Sequence, residues 1–389
     1  MTSVIRVLHV VTYMGRGGLE TMLMNYYRNI DRSKIQFDFL VHRDFIADYD
    51  NEILALGGKI FRLPKLNPFS RNYKDKVKAF FVEHNEYTIV HCHLDCMAGI
   101  PLQYAKENGA HICIAHAHNS NQTKDIKYIL KLIYKRIIPK NADLLFACGY
   151  ESGKWMFRGN EFYILNNAID VNQYSYNCKV RNQIRSDLGF DENNYVIGHV
   201  GRFSPQKNHS FIIDVFRVIC ELNDSARLLL IGAGELMNSI KQRVDKYGLS
   251  DKVIFTGLRP NVSDYLQAMD VFFFPSLNEG LPLSIIEAQT SGLPCIVSER
   301  VPSDCIKTDL VNQVNLDESV DEWAHVILNS TYNKRIDHSE TIRNAGFDVT
   351  RNAYKLECFY ETCEKQRENV LEIKKIANEL FDKMPSERI

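Results

Sequence analysis

The sequence predicts an α/β protein of two successive domains, each built on a parallel sheet with helices over its faces. Three observations predict it. The chain has 389 residues, more than one hydrophobic core of ordinary size serves. Short apolar, β-branched runs alternate with longer segments of helical period, as in strands joined by crossover helices. The alternation pauses once, over the polar residues 166–194, and then restarts. With 45% hydrophobic and 24% charged residues the chain carries enough apolar side chain for two ordinary globular cores. The formal net charge is −1, so no overall basic field points to nucleic acid as a partner.

The first strand is expected at Val4–Val11. The helix after it, Leu19–Ile30, places Leu19, Leu23, Tyr26 and Tyr27 on one face as a core stripe. Strands follow at Phe37–Val41, Lys59–Leu63, Ile89–His93, Ile112–Ala117, Leu144–Cys148 and Phe162–Leu165, with helical patterns between most of them. Residues 166–194 read as a linker with a short helix before Gly189. The second half offers strands at Val196–Val200, Arg227–Ile231, Val253–Phe255, Val271–Phe274 and Cys295–Val297, and the tail after Ser339 is helical and highly charged. The start, MTSVIRVLHVVTYM, leads into GRGG rather than a small-residue cleavage site, so a signal peptide is not expected. No stretch reaches the roughly eighteen apolar residues of a membrane span. The ten cysteines stand singly, without paired metal spacing, which fits reduced thiols in a cytoplasmic protein.

Ligands of two parallel-sheet domains are expected at the carboxyl ends of the strands, in a cleft between the domains. The segment FFFPSLNEGLPLSIIEAQTSGLPCIVS, from Phe272 to Ser298, reads as strand, loop, helix, turn, strand. Pro282 fits the first helical turn, where its missing N–H costs nothing. The amides of Leu283 and Ser284 are then free helix-start donors for a phosphate, with Gly280 and Leu281 in the loop before them. Glu279 precedes the helix and Glu287 lies within it; one carboxylate can accept from sugar hydroxyls and the other from a ribose diol. The competing reading is a capped surface helix with two solvated glutamates. HVGRFSPQKNH, from His199 to His209, ends a buried strand and then brings Arg202 and Lys207 into one loop. Two cations there can neutralise a diphosphate leaving group, or can simply be solvated.

YMGRGGLE follows the first strand, and Gly15, Gly17 and Gly18 permit a tight turn with close backbone approach, or merely join strand to helix. The dinucleotide fingerprint GxGxxG would need glycine where Glu20 stands. LIGAGEL, with Gly234, is a similar and weaker glycine turn. Histidines gather at two strand ends, His91 and His93 in IVHCHLDC, and His116 and His118 with Asn119 in IAHAHNS. Alternation puts each pair on one side of its strand. Hydrogen-bonded histidines lining the cleft are expected here rather than a metal site, although Cys92, Asp95 and Cys96 are near. The segment Lys124–Lys140 carries Lys124, Lys127, Lys131 and Lys135 at helical spacing with isoleucines and a leucine around them. It reads either as a helix packed on its domain or as a contact with an anionic membrane surface, which the lysines of residues 71–78 extend.

At this point the motifs GRFSPQKNH and FFFPSLNEGLPLSIIEAQTSGLPCIVS resemble the donor-binding half of the retaining GT-B glycosyltransferases of family four. VLHVVTYMGRGGLE and HAHNS are similar to its capsular and exopolysaccharide branch, and the resemblance covers nearly the whole chain. It implies two Rossmann-like domains facing a central cleft. Residues 1–170 would bind the acceptor, 171–365 the nucleotide-sugar donor, and 366–389 would form a helix crossing back to the first domain. It implies that Arg202 and Lys207 hold the donor diphosphate, that Glu287 binds the ribose, and that Glu279 lies beside the transferred sugar with the backbone of Gly280, Leu281, Pro282, Leu283 and Ser284 around it. Gly17 and Gly18 match the glycine loop facing donor phosphate and acceptor, and His118 the histidine near the sugar's hydroxymethyl group. His93, His116 and Asn119 fall on the acceptor side. The interdomain segment reads NNAID where many relatives have PNGID, a change in linker geometry only.

The resemblance implies a retaining transferase. It takes a sugar from a nucleotide-sugar donor, of uridine type first, and passes it to a saccharide or lipid-linked saccharide in surface polysaccharide biosynthesis. No cofactor and no metal are expected, and the protein is expected in the cytoplasm, peripheral at the inner membrane face. Two rivals stand. A nucleotide-sugar epimerase of similar fold would act on the donor alone, so dependence of product on added acceptor separates it. A non-catalytic nucleotide-binding or nicotinamide-binding protein would lack turnover, and the absent GxGxxG speaks against the nicotinamide version.

Overall fold

The computed structural model describes residues 4–119, 128–330 and 335–385. The chain divides into two compact units, one of Met1–Ile169 with Asp348–Ile389 and the other of Asp170–Phe347. Each has its own sheet.

In the first unit the strands are β1 (Ile5–Val11), β2 (Ile35–Val41), β3 (Ile60–Arg62), β4 (Ile89–Cys92), β5 (Ile112–Ala117), β6 (Leu144–Ala147) and β7 (Phe162–Ile164). They lie in the order β7-β6-β5-β4-β1-β2-β3, all parallel. Parallel strands buried on both faces need continuous apolar runs, and IRVLHVV and ICIAHA supply them. One face packs under the helix Gly18–Asn29, whose Met22, Leu23, Met24, Tyr26 and Tyr27 are buried. Leu19, expected in that stripe, packs at its margin. The other face packs under the helices Arg71–Glu83, Gly99–Glu107 and Tyr150–Phe157.

The second unit contains β8 (Tyr195–Val200), β9 (Ala226–Ile231), β10 (Val253–Gly257), β11 (Val271–Phe274), β12 (Cys295–Ser298) and β13 (Val311–Val314), ordered β10-β9-β8-β11-β12-β13 and wholly parallel. Its core joins the helices His209–Leu222, Met237–Lys246 and Val320–Asn329 to the sheet, with Trp323 fully buried among them.

The structure departs from the sequence reading in four places. The strand β13, VNQV, is not among the expected strands; two of its four residues are exposed at the sheet edge, so it shows no apolar run. The tail holds a short strand, β14 (Asp382–Met384), antiparallel to β7 and polar throughout its exposed face. The supposed linker contains two helices, Val171–Tyr174 capped by Asp170 and Cys178–Asp187 capped by Asn177. Arg185 of the second is buried and bonds to Ala268, Asp270, Asp191 and Asn194, which makes the segment part of the second unit. Finally, the return to the first unit begins at Asp348, not at 366. The helix Val349–Lys365, given to the donor domain by its position in the sequence, places Leu356, Phe359, Tyr360 and Cys363 in the first unit's core.

Candidate functional site

In the second unit the chain runs outward from β8 to β9 and β10 on one side, then from β11 to β12 and β13 on the other. The reversal falls between β8 and β11, and loops leaving the carboxyl ends of two such strands diverge and leave a crevice. The loop after β8 carries Arg202 and Lys207, and the loop after β11 carries Glu279. Hydrogen bonds to the backbone tie the two together. Leu277 N donates to Gln206 O (2.8 Å), Gln206 Nε2 to Asn278 O (2.6 Å) and Asn208 Nδ2 to Pro275 O (3.2 Å).

Lys207 Nζ sits 2.7 Å from Glu279 Oε1 and 4.5 Å from the centre of the Phe274 ring. Ser276 Oγ donates to the same carboxylate oxygen. The pair is largely withdrawn from water, 16% exposed for Lys207 and 7% for Glu279, so each is held by the other's charge rather than by solvent. Arg202 stands apart from them: it is well exposed and lies 3.3 Å from Glu235 at the mouth of the β9 loop. The structure therefore joins Lys207 to Glu279 directly and leaves Arg202 as a mobile-length side chain at the rim.

The helix Leu283–Thr290 begins beside this pair. Pro282 sits at its N-cap in extended conformation, one position outside the first turn where the sequence placed it, and no side chain caps the helix. Gly280, Leu281, Leu283 and Ser284 are only partly covered. Glu287 is half-buried and accepts from Tyr174 Oη at 3.1 Å. Burial pushes its carboxyl up to about 7, against the downward pull of the Tyr174 hydrogen bond. Gly232 and Gly234 are needed for packing. Gly232 has φ +138 and a Cβ there would lie 2.0 Å from Gly201 O, while one on Gly234 would lie 2.5 Å from Phe203 O. Gly234 thus lets the β9 loop close on the β8 loop, whose Phe203 N donates to Ala233 O at 3.0 Å.

The first unit repeats the geometry. Its strand order reverses between β1 and β4. After β1 comes the glycine turn: Gly15 lies against the Tyr13 ring, Gly17 is the extended N-cap of the helix Gly18–Asn29, and Gly18 opens it. Glu20, treated in the sequence only as a missing glycine, folds back on that N-cap; burial raises its carboxyl, and hydrogen bonds from the Gly17 and Glu20 backbone pull it down. A carboxylate at a helix start occupies the place an anion takes.

At the ends of β4 and β5, His93 Nδ1 lies 2.9 Å from His118 Nε2, and His93 Nε2 lies 3.1 Å from His9 Nδ1. His116 Nδ1 lies 3.2 Å from His91 Nε2, and His91 Nδ1 2.7 Å from Tyr360 Oη. His118 is half-buried and Asn119 exposed; the His118 amide and the Asn119 side chain both donate to Asp95. The five imidazoles are thus one cluster; His9, absent from the sequence reading, completes it because β1 is the neighbour of β4.

Of the basic segment, Lys124 and Lys127 lie outside the described residues. The helix Tyr128–Lys135 buries none of its residues, and Ile129 and Ile133 are exposed. Lys135 does not belong to a solvated stripe: it lies 4.3 Å from the centre of the Trp155 ring. Among the described residues no helix is long and apolar enough to cross a membrane. The described cysteines are free, most of them buried, with Cys178 exposed.

Comparison with known proteins agrees with this architecture. Residues 180–345 match the family model described as glycosyl transferases group 1. Over 367 residues the chain is 34% identical to the protein of Bacillus subtilis (strain 168) named as the glycosyltransferase EpsF, covering 89% of this chain and 94% of that one. It is 27% identical over 300 residues to the UDP-Gal:alpha-D-GlcNAc-diphosphoundecaprenol alpha-1,3-galactosyltransferase of Escherichia coli, covering 72% and 76% of the two chains. Among solved structures it is similar to Anabaena HepE in complex with UDP, with a TM-score of 0.72 at 18% identity over 97% of this chain and 99% of that one. That likeness establishes the GT-B fold: two Rossmann-like units with parallel sheets.

Proposed function

The chain belongs to the group 1 glycosyl transferases, and from that premise we propose that it transfers a sugar from a UDP-sugar to a saccharide or lipid-linked saccharide in surface polysaccharide biosynthesis. The observation that carries the reading is the Lys207–Glu279 pair at the strand-order reversal of the second unit. The uridine donor is supported by two relatives, one whose name specifies UDP-Gal and one solved with UDP. The acceptor class is supported by the first of these, whose name specifies a diphosphoundecaprenol-linked sugar.

In this reading Lys207, already desolvated, and Arg202, free to swing from Glu235, neutralise the diphosphate together with the uncapped helix start at Leu283 and Ser284. Glu287 takes the ribose hydroxyls. Glu279 accepts from hydroxyls of the transferred sugar. Transfer retains the anomeric configuration: the bond from C1 to the diphosphate oxygen breaks, the acceptor oxygen bonds C1 on the same face, and the acceptor proton passes to the departing phosphate. With two cations on the diphosphate, the donor half needs no dication for this step. The helix Tyr128–Lys135, with Ile129, Ile133 and Phe69 exposed beside Lys131, would rest on an anionic membrane at the cytoplasmic side. Flotation with phosphatidylglycerol vesicles, lost in Ile129→Asp/Ile133→Asp, checks that part.

The deciding experiment is thermal unfolding against UDP, GDP, ADP and NAD. A nucleotide at about a hundredfold its dissociation constant adds roughly 2.7 kcal/mol, a rise of several degrees. A shift with UDP that Arg202→Ala weakens and Lys207→Ala abolishes supports the site. A shift with NAD alone, or product formed from donor without acceptor, would move the assignment to the nicotinamide or epimerase class.

A further inference from the structure

We propose that His93, His116 and His118 of the first unit bind one divalent transition-metal ion of the zinc class, with a water molecule as the fourth ligand. Each of the three offers a ring nitrogen within 4.8 Å of the others'. All three stand at the carboxyl ends of adjacent strands, His93 after β4 and the other two at the end of β5. His93 and His116 are buried and His118 is half-buried.

The hydrogen bonds of the cluster do not close without a further partner. A neutral imidazole carries one proton, so a chain of imidazoles ends on a bare nitrogen or an unused N–H. Here His9 Nε2, His116 Nε2 and His118 Nδ1 are buried without a partner. Buried polar atoms are rarely left so, because each costs about 1–3 kcal/mol. An ion on His116 Nε2 takes up one of these three atoms, and on His93 Nδ1 and His118 Nε2 it replaces the hydrogen bond between them (2.9 Å), in one self-consistent set of tautomers. His93 Nε2–H then donates to His9 Nδ1 (3.1 Å). His116 Nδ1–H donates to His91 Nε2 (3.2 Å), and His91 Nδ1–H to Tyr360 Oη (2.7 Å). Two of the three ligands thus hold an outer partner through the second ring nitrogen, as metal-bound histidines do. The third, His118, is left with Nδ1–H as a donor.

The donor set also selects the ion. Three imidazoles and a water, with no thiolate among the ligands, suit zinc and its neighbours rather than calcium or magnesium. Behind the proposed ligand, Asp95 accepts from the His118 amide at 3.2 Å. The site lies in the unit that does not hold Lys207 and Glu279, so it stands or falls separately from the donor reading.

The test uses the full chain carried on a tag without histidine. Metal content after dialysis is measured by plasma mass spectrometry, and chelator-stripped protein is titrated with Co²⁺ and with Zn²⁺. We expect about one ion per chain, a visible cobalt band of tetrahedral type, and a melting midpoint several degrees higher with Zn²⁺. His116→Gln should lose the ion, while the exposed His111→Gln keeps it. If His116→Gln does not fold, the cobalt band of the unaltered chain still decides. Less than about a tenth of an ion per chain with no cobalt band, or full occupancy in a folded His116→Gln, overturns the proposal.

Discussion

Lys207 and Glu279 neutralise each other where a donor diphosphate and sugar would meet them, and each therefore has a structural cost of removal as well as a chemical one. Lys207→Ala leaves the nearly buried Glu279 without its ion-pair partner, and should lower unfolding free energy by about 2–4 kcal/mol in urea titration. Adding Glu279→Gln to that variant should recover part of the loss, because the uncompensated charge is gone. Glu279→Gln alone should keep its fold and cut kcat/KM about a hundredfold or more, roughly 3 kcal/mol of transition-state stabilisation. Glu287 makes a pH prediction. Its folded pKa, about 7, lies above that of an unfolded carboxylate. The native state thus holds the proton more tightly, and this contribution to stability is full below the unfolded pKa and lost as pH rises through about 7. Ribose hydroxyls need the carboxylate, so UDP affinity should run the opposite way, rising up to about tenfold per pH unit between pH 6 and 7 and levelling above. Calorimetry at several pH values reads this. Tyr174→Phe removes the bond that lowers the pKa and should move the inflection to higher pH, whereas Glu287→Gln should flatten it.

The loops after β8, β9 and β11 work as one element because their backbones touch. Gly232 is the tightest point, with φ +138 and Gly201 O at 2.0 Å from a built Cβ. Gly232→Ala combines strain with a backbone clash and should cost about 3 kcal/mol or more in urea unfolding. Gly248→Ala, at φ +66 in open space, carries strain alone and should cost about 1–2 kcal/mol. Equal costs would mean the β8 and β9 loops are not in contact. At this scale the sequence was most readable where strands are buried on both faces. Ile112–Ala117 and Val271–Phe274 match residue for residue, since a continuous β-branched or aromatic run has few other uses. The edge strands β13 and β14 were missed for the same reason reversed: half their residues or more face water, and runs of three or four residues of mixed polarity carry no period.

For the whole molecule the discontinuous first unit has a direct consequence. Leu356, Phe359, Tyr360 and Ile373 of the tail complete the core that Met22, Tyr26 and Phe37 begin. A fragment of residues 1–169 lacks that layer and should be insoluble or molten by circular dichroism. A fragment of residues 170–347 contains its entire sheet and core and should melt cooperatively and bind UDP. If 1–169 folds alone, the tail is an appendage rather than a core element. Much of the protein was legible from sequence alone: the α/β class, the two sheets, the family, and the loops after β8 and β11 as the carriers of Arg202, Lys207 and Glu279. These are local properties, set by periodicity and by loop residues a few positions apart, so they survive in one dimension. Partnership is not local. That Lys207 pairs with Glu279 while Arg202 turns to Glu235, that Tyr174 from the presumed linker holds Glu287, and that His9 joins the other histidines all depend on strand order. The tail's return at Asp348 was likewise decided by the tertiary structure, because an amphipathic helix states that it has a face to bury but not which core will bury it.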